Sequence, residues 1–342
     1  MLDVRRDDYR CCDRFARTTT AVRMSRRRRL QAAVFGPQDI PGRGPGAPGF
    51  VEAGQLPRAI TGTVRDISPH VLLIGNGASE TRLTLTADAT AWRGGPLDPA
   101  GIQPGDHAVV RLHRARRGVA DRIWANIGRV TGTIVDRDGD SLLVDEGRTK
   151  PRQIVTIPWR AAGRIQVRFP NLEPGFLVDV IGLRRAGTLE ARIPGTSQPA
   201  YPADQVPAPP ILSGHVPHSF SGSATWHEPS EEPPGLLGVE YPALDPEAGC
   251  AEDPGGRSAP RYVRMPYLAI GSLLTVRNDC TGCSCLLPVT GCASVARVFN
   301  DRCVTCGTSP RGRVADLTLA SFVTLGGELE RGCFNATITI GH

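Results

Sequence analysis

The sequence predicts a mainly β protein that includes two small barrels, tandem copies of one unit. Three observations carry this. The 342 residues include 39 glycines and 30 prolines but only 5% aromatic residues, a composition suited to many turns and short strands rather than long helices. From residue 58 onward, apolar and polar residues alternate in short runs bounded by Gly, Pro and Asp. A pattern also recurs in a single register of seventy residues. Ile60-Thr61-Gly62-Thr63-Val64 returns as Val130-Thr131-Gly132-Thr133-Ile134, and Ile102-Gln103-Pro104-Gly105 returns as Leu172-Glu173-Pro174-Gly175.

Residues 1–34 hold ten arginines against four aspartates, which accounts for the whole net charge of +6. The rest of the chain is therefore balanced, and the basicity belongs to a tail rather than to a folded nucleic-acid-binding face. Ser25-Arg26-Arg27-Arg28-Arg29-Leu30 resembles the start of a twin-arginine export signal, but the apolar stretch that should follow is cut short at Pro37. Both a basic tail and a degenerate export signal fit residues 1–34. Residues 35–57 read as a flexible Gly/Pro linker. No run of eighteen apolar residues occurs, so no transmembrane segment is expected.

Residues 58–128 and 129–195 are the two copies. In the first, Val71-Leu72-Leu73-Ile74, Arg82-Leu83-Thr84-Leu85 and His107-Ala108-Val109-Val110 alternate as strands of a small antiparallel barrel. The Gly-x-Val and Pro-Gly-Asp placement resembles OB-like barrels. Such barrels often bind single-stranded nucleic acid through aromatic stacking on a basic groove. Here Trp92 and Trp124 in the first copy, and Trp159, Phe169 and Phe176 in the second, occupy positions that a core would also claim. Spacer or adaptor barrels are the expectation, and no nucleic-acid partner. Residues 196–219 are rich in proline and read as a semi-rigid linker that holds the last domain away from the repeats.

The last region, residues 220–342, carries the chemistry. The strand Ser294 to Asn300 ends in Asn300-Asp301-Arg302, a Cys/Gly-rich loop follows, and Gly312-Arg313-Val314-Ala315-Asp316-Leu317-Thr318 delivers a second aspartate just before a short helix over Thr318–Leu325. Upstream lie Ser223-Ala224-Thr225-Trp226, Asp245-Pro246-Glu247-Ala248 and Leu268-Ala269-Ile270-Gly271-Ser272. In this order the five motifs resemble the rare lipoprotein A-like double-psi β-barrels, related to expansins and barwin-like endoglucanases. The resemblance implies a six-stranded double-psi β-barrel that binds cell-wall glycan such as peptidoglycan and, as a lytic transglycosylase or glycoside hydrolase, cleaves it. It implies Asp301 and Asp316 as catalytic acids in one groove, with Asp245 as a further candidate, and Trp226, Asn300 and Arg302 as substrate contacts. Paired glycosidase carboxylates lie within about 10 Å of each other. The family's histidine, eight residues after the Asp-Pro aspartate, is replaced here by Asp253. Glu228 falls one position away from the second acid of the related endoglucanases.

Eight of the ten cysteines crowd this region: Cys250, Cys280, Cys283, Cys285, Cys292, Cys303, Cys306 and Cys333. An even number in a small loop-rich β-domain predicts disulfides and an extracytoplasmic, oxidising location, with no cofactor. The pairs Cys280-x-x-Cys283 and Cys303-x-x-Cys306 also have zinc-ribbon spacing, which leaves structural zinc as the alternative. The enzyme reading has its own rival, a non-enzymatic interaction module.

Overall fold

The computed structural model describes residues 58–77, 79–147, 151–197, 202–203, 218–228, 235–244, 265–266, 268–293 and 312–340. The expected mainly β architecture is present, as two small OB-like barrels and a closed six-stranded barrel.

The first barrel contains β1 (Ala59–Ile67), β2 (Val71–Asn76), β3 (Ser79–Trp92), the short β4 (Pro96–Leu97), β5 (His107–Leu112) and β6 (Val119–Ala125). Pairings β1–β2, β2–β3, β3–β6, β6–β5 and β5–β1 close a ring in which only β3–β6 is parallel. The second barrel repeats the ring with β7 (Ile127–Asp138), β8 (Ser141–Asp145), β9 (Gln153–Thr156), the helix α1 (Trp159–Gln166), β10 (Leu177–Arg185) and β11 (Thr188–Pro194). Its one parallel pairing, β9–β11, is the counterpart of β3–β6.

The seventy-residue register is structural. Ile60 lies opposite Val110, and Val130 opposite Val180. Gly105 N–H donates to Val64 O, and Gly175 N–H to Ile134 O, each at 2.8 Å. The repeated glycine has a steric cause. A Cβ on Gly62 would lie 2.5 Å from Gly75 O, and one on Gly132 would lie 2.1 Å from Asp145 O, so only glycine lets these strands cross so closely.

The third barrel comprises β12 (Ser219–His227), β13 (Val239–Tyr241), β14 (Leu273–Asn278), β15 (Ser284–Cys292), β16 (Arg313–Thr318), the helix α2 (Leu319–Thr324) and β17 (Cys333–Ile340), closed in the order β12-β16-β13-β15-β14-β17. Alternation sends Phe220, Ala224 and Trp226 of β12 into the core, together with Val239, Tyr241, Leu317 and Phe334.

The third barrel packs against the repeats rather than being held away from them, contrary to the sequence-based expectation; most of the proline-rich stretch itself lies outside the described residues. Trp92, Val109 and Trp124 of the first barrel and Ile127, Ile181 and Leu183 of the second join the core cluster of the third. Trp124 is fully buried, its indole N–H donating to Glu330 Oε2 at 2.5 Å, and Arg111 and Arg122 lie 5.9 and 5.4 Å from its ring. The same arginines pair with Glu328 and Glu330. Gly332 (φ 75) touches the second barrel so closely that a Cβ there would lie 2.1 Å from Gly195 O.

A buried charge cluster joins the second barrel to the third. Asp179 on β10 is fully buried and accepts from Arg129 Nε at 2.8 Å, Arg129 Nη2 at 2.6 Å, Arg313 Nη2 at 2.7 Å and Thr196 Oγ1 at 2.8 Å. Arg129 Nη1 donates onward to Gly332 O at 2.6 Å and Trp226 O at 3.1 Å. Burial alone would raise the Asp179 carboxyl, but the Arg129 and Arg313 charges and the hydrogen bonds outweigh it and hold it at about 2.

Candidate functional site

Strand order brings together three side chains that are far apart in sequence. β16 lies between β12 and β13, so Asp316 is opposite Thr225 on one side and Glu240 on the other. His227, two residues beyond Thr225, shares its face of β12. Thr225, His227, Glu240 and Asp316 thus point away from the face that packs Ala224, Trp226, Val239, Tyr241, Ala315 and Leu317 into the core.

The geometry is that of an imidazole between two carboxylates. His227 Nδ1 is 4.0 Å from Asp316 Oδ1, and His227 Nε2 is 3.8 Å from Glu240 Oε1. Thr225 Oγ1 donates to Asp316 Oδ1 at 2.8 Å and fixes that carboxylate. His227 and Asp316 are only 6% and 9% exposed, while Glu240 is half-buried and leads toward solvent. Asp316 does not cap the helix that follows; Thr318 does, its Oγ1 accepting from Ser321 N–H.

Two arrangements suit such a set. One ligand atom from each residue lies within 4.8 Å of the others, and carboxylate and imidazole donors bind divalent first-row cations. However, the two carboxylates approach different ring nitrogens, and an imidazole coordinates through one. At 3.8 and 4.0 Å both approaches are longer than a hydrogen bond, so proton transfer through His227, the second arrangement, requires these groups to draw closer.

Of the residues picked out from sequence, Asp316 lies in this cluster. Asp301, Asp245, Asn300 and Arg302 lie outside the described residues. Trp226 is not available to a substrate: it is 1% exposed, its indole N–H donates to Leu329 O at 2.9 Å, and Arg129 lies over its ring at 5.6 Å. Its place on the core-facing side of β12 corrects the expectation of a sugar contact. Glu228 is bound to Arg184 of the second barrel at 2.7 Å, so it serves as a tie between barrels. His227 and Glu240 were not singled out from sequence. The only signal was a polar residue flanked by core residues on an alternating strand, and only the pairing of β12 and β13 with β16 gives it meaning.

The cysteines divide. Cys292 is disulfide-bonded. Cys285 and Cys333 are thiols at 1% and 4% exposure, which corrects the expectation that all eight are bridged. Cys285 points into the barrel core from β15, opposite Val276, and acts there as a small apolar side chain; burial pushes its thiol up to about 11. Cys283 is also a thiol and contacts the Arg114 guanidinium, in the β14–β15 hairpin that carries Cys280. Cys250, Cys303 and Cys306 lie outside the described residues, and with them half of the zinc alternative. Alkylation without reductant should label Cys285 and Cys333 only after denaturation, as read by mass spectrometry. Their absence from the labelled set in denaturant would place them in bridges.

A cleft of about 230 Å³ lined by Arg93, Asn126, Leu183, Arg184 and Arg185 opens at the junction of the first two barrels, and none of the clustered acids lines it. No helix among the described residues is long and apolar enough to cross a membrane. No protein-family model matches the chain, and no curated protein is significantly similar to it in sequence.

Proposed function

We propose that this is an extracytoplasmic protein whose C-terminal barrel binds cell-wall glycan and cleaves it by a lytic route, with Asp316, His227 and Glu240 as the acid–base set. The observation that carries the reading is the imidazole between two carboxylates at the aspartate position that the double-psi resemblance marks as catalytic. His227 also offers an imidazole partner for Asp316, in place of the family histidine that sequence position 253 lacks. Cleaving a glycosidic bond requires a positioned acid to protonate the leaving oxygen. In a lytic route the sugar's own hydroxyl is the nucleophile, so Asp316 can give its proton to the leaving oxygen and take one back from that hydroxyl. Thr225 holds the carboxylate in place, and His227 passes charge on to Glu240 at the wetter end. The buried tie of Asp179 to Arg129 and Arg313 stiffens the second barrel against β16, the strand that carries Asp316.

A purely glycan-binding role is the second reading, favoured by the low exposure of His227 and Asp316. Both readings require affinity for the polymer. The purified protein is expected to sediment with insoluble peptidoglycan, and soluble glycan fragments should release it. Protein that stays in the supernatant at physiological salt would remove both.

A further inference from the structure

One of the four tryptophans of the chain behaves unlike the other three. Trp92, Trp124 and Trp226 are buried at 3%, 0% and 1%, whereas Trp159 is 89% exposed. It opens α1 after Pro158, and the helix buries only Ala161 and Ile165 against the second barrel. Val167, just beyond the helix, is 77% exposed. Trp159, Gly163 and Val167 follow the i, i+4, i+8 spacing of a single helical stripe, and Gly163 faces open space. Large apolar side chains in water on a helix that already has a core-facing side need a reason.

The charge around them supplies one. Residues 151–172 carry Arg152, Arg160, Arg164 and Arg168 and no Asp or Glu. The carboxylate that meets α1 is Glu190 on β11, and it is shared among Arg160 at 2.7 Å, Arg192 at 2.8 Å and Arg185 at 3.2 Å, so the face remains positive. We propose that this outer face of α1 is a docking surface for an anionic phospholipid bilayer, with Trp159 and Val167 entering the interface and the arginines pairing with headgroups. Exposed indole and aliphatic groups beside guanidiniums are what a peripheral helix needs to lie in the plane of an anionic membrane. A hydrophilic polyanion would use the arginines but would leave Val167 in water. This surface is separate from the His227–Asp316 cluster and does not depend on its chemistry.

The test uses the full chain, its natural tryptophans and vesicles of phosphatidylcholine with and without phosphatidylglycerol. Phosphatidylglycerol vesicles should shift the emission to the blue and shield it from aqueous quencher, since only Trp159 starts in water. Trp159→Ala should weaken partitioning about tenfold or more and abolish the shift. Arg164→Glu should weaken it in a salt-dependent manner. Both positions are exposed, so circular dichroism should be unchanged. No partitioning onto phosphatidylglycerol vesicles would overturn the proposal. So would partitioning equal in wild type and both variants, which assigns it to the arginine-rich tail, or tighter Trp159-dependent binding to a single-stranded oligonucleotide.

Discussion

Asp179→Ala is expected to cost about 3–5 kcal/mol of stability, a large part of the roughly 5–15 kcal/mol that typically holds a folded protein together. The carboxylate is the common partner of two buried guanidiniums, Arg129 with 2% and Arg313 with 0% side-chain exposure, and removing it leaves two positive charges facing each other away from water. Urea unfolding followed by circular dichroism measures the loss. Asp179→Asn keeps the shape and the acceptor oxygen but not the charge, and should fall between wild type and alanine. Acid should act in the same direction. With a folded-state value of about 2 against 3.8 for a free aspartate, the ionised group stabilises the fold above about pH 4. That contribution fades as the pH falls from about 4 toward 2. An Asp179→Ala protein as stable as wild type, or a wild type whose stability does not fall over that interval, would show that the cluster contributes little.

The second large effect concerns chemistry. On the proposed lytic route, Asp316→Asn should lower glycan turnover by about 10²–10⁴-fold, the usual contribution of a positioned acid or base. Thr225 can still hydrogen-bond the amide oxygen, so the fold should be undisturbed. His227→Gln should lower turnover too, because the imidazole lies between Asp316 and Glu240. Glu240→Gln, at the half-exposed end, should have the smallest effect of the three. Equal turnover in Asp316→Asn and wild type would remove Asp316 from the mechanism.

The two repeats were legible in sequence because strand alternation and the glycine pair Gly62 and Gly132 are local requirements that duplication preserved in register. Asp316 was legible only through resemblance of its surrounding motif. His227 and Glu240 were not, since their meaning depends on β16 inserting between β12 and β13, a non-sequential strand order that no local pattern encodes. Asp179 was invisible for a related reason: a charged residue on an alternating strand reads as solvent-facing until Arg313 from another barrel is placed beside it. Cys285 and Cys333 misled because clustering in sequence is not proximity in a barrel; Cys285 lies on β15 facing the core and Cys333 begins β17, with β14 between those strands. Trp226 misled because β12 turns it inward, toward Arg129 and Leu329. Trp124, ambiguous between core and binding groove, proved to be the core of an interface between barrels.

The most direct test of the proposed function is mass spectrometry of the soluble products released from purified peptidoglycan by wild-type protein and by Asp316→Asn. Wild type should release fragments ending in anhydro-sugars, and Asp316→Asn should release almost none while sedimenting with the polymer equally well. A correctly folded wild type that binds the polymer yet releases nothing would contradict cleavage at the His227–Asp316–Glu240 cluster, as would anhydro-sugar release that survives intact in Asp316→Asn.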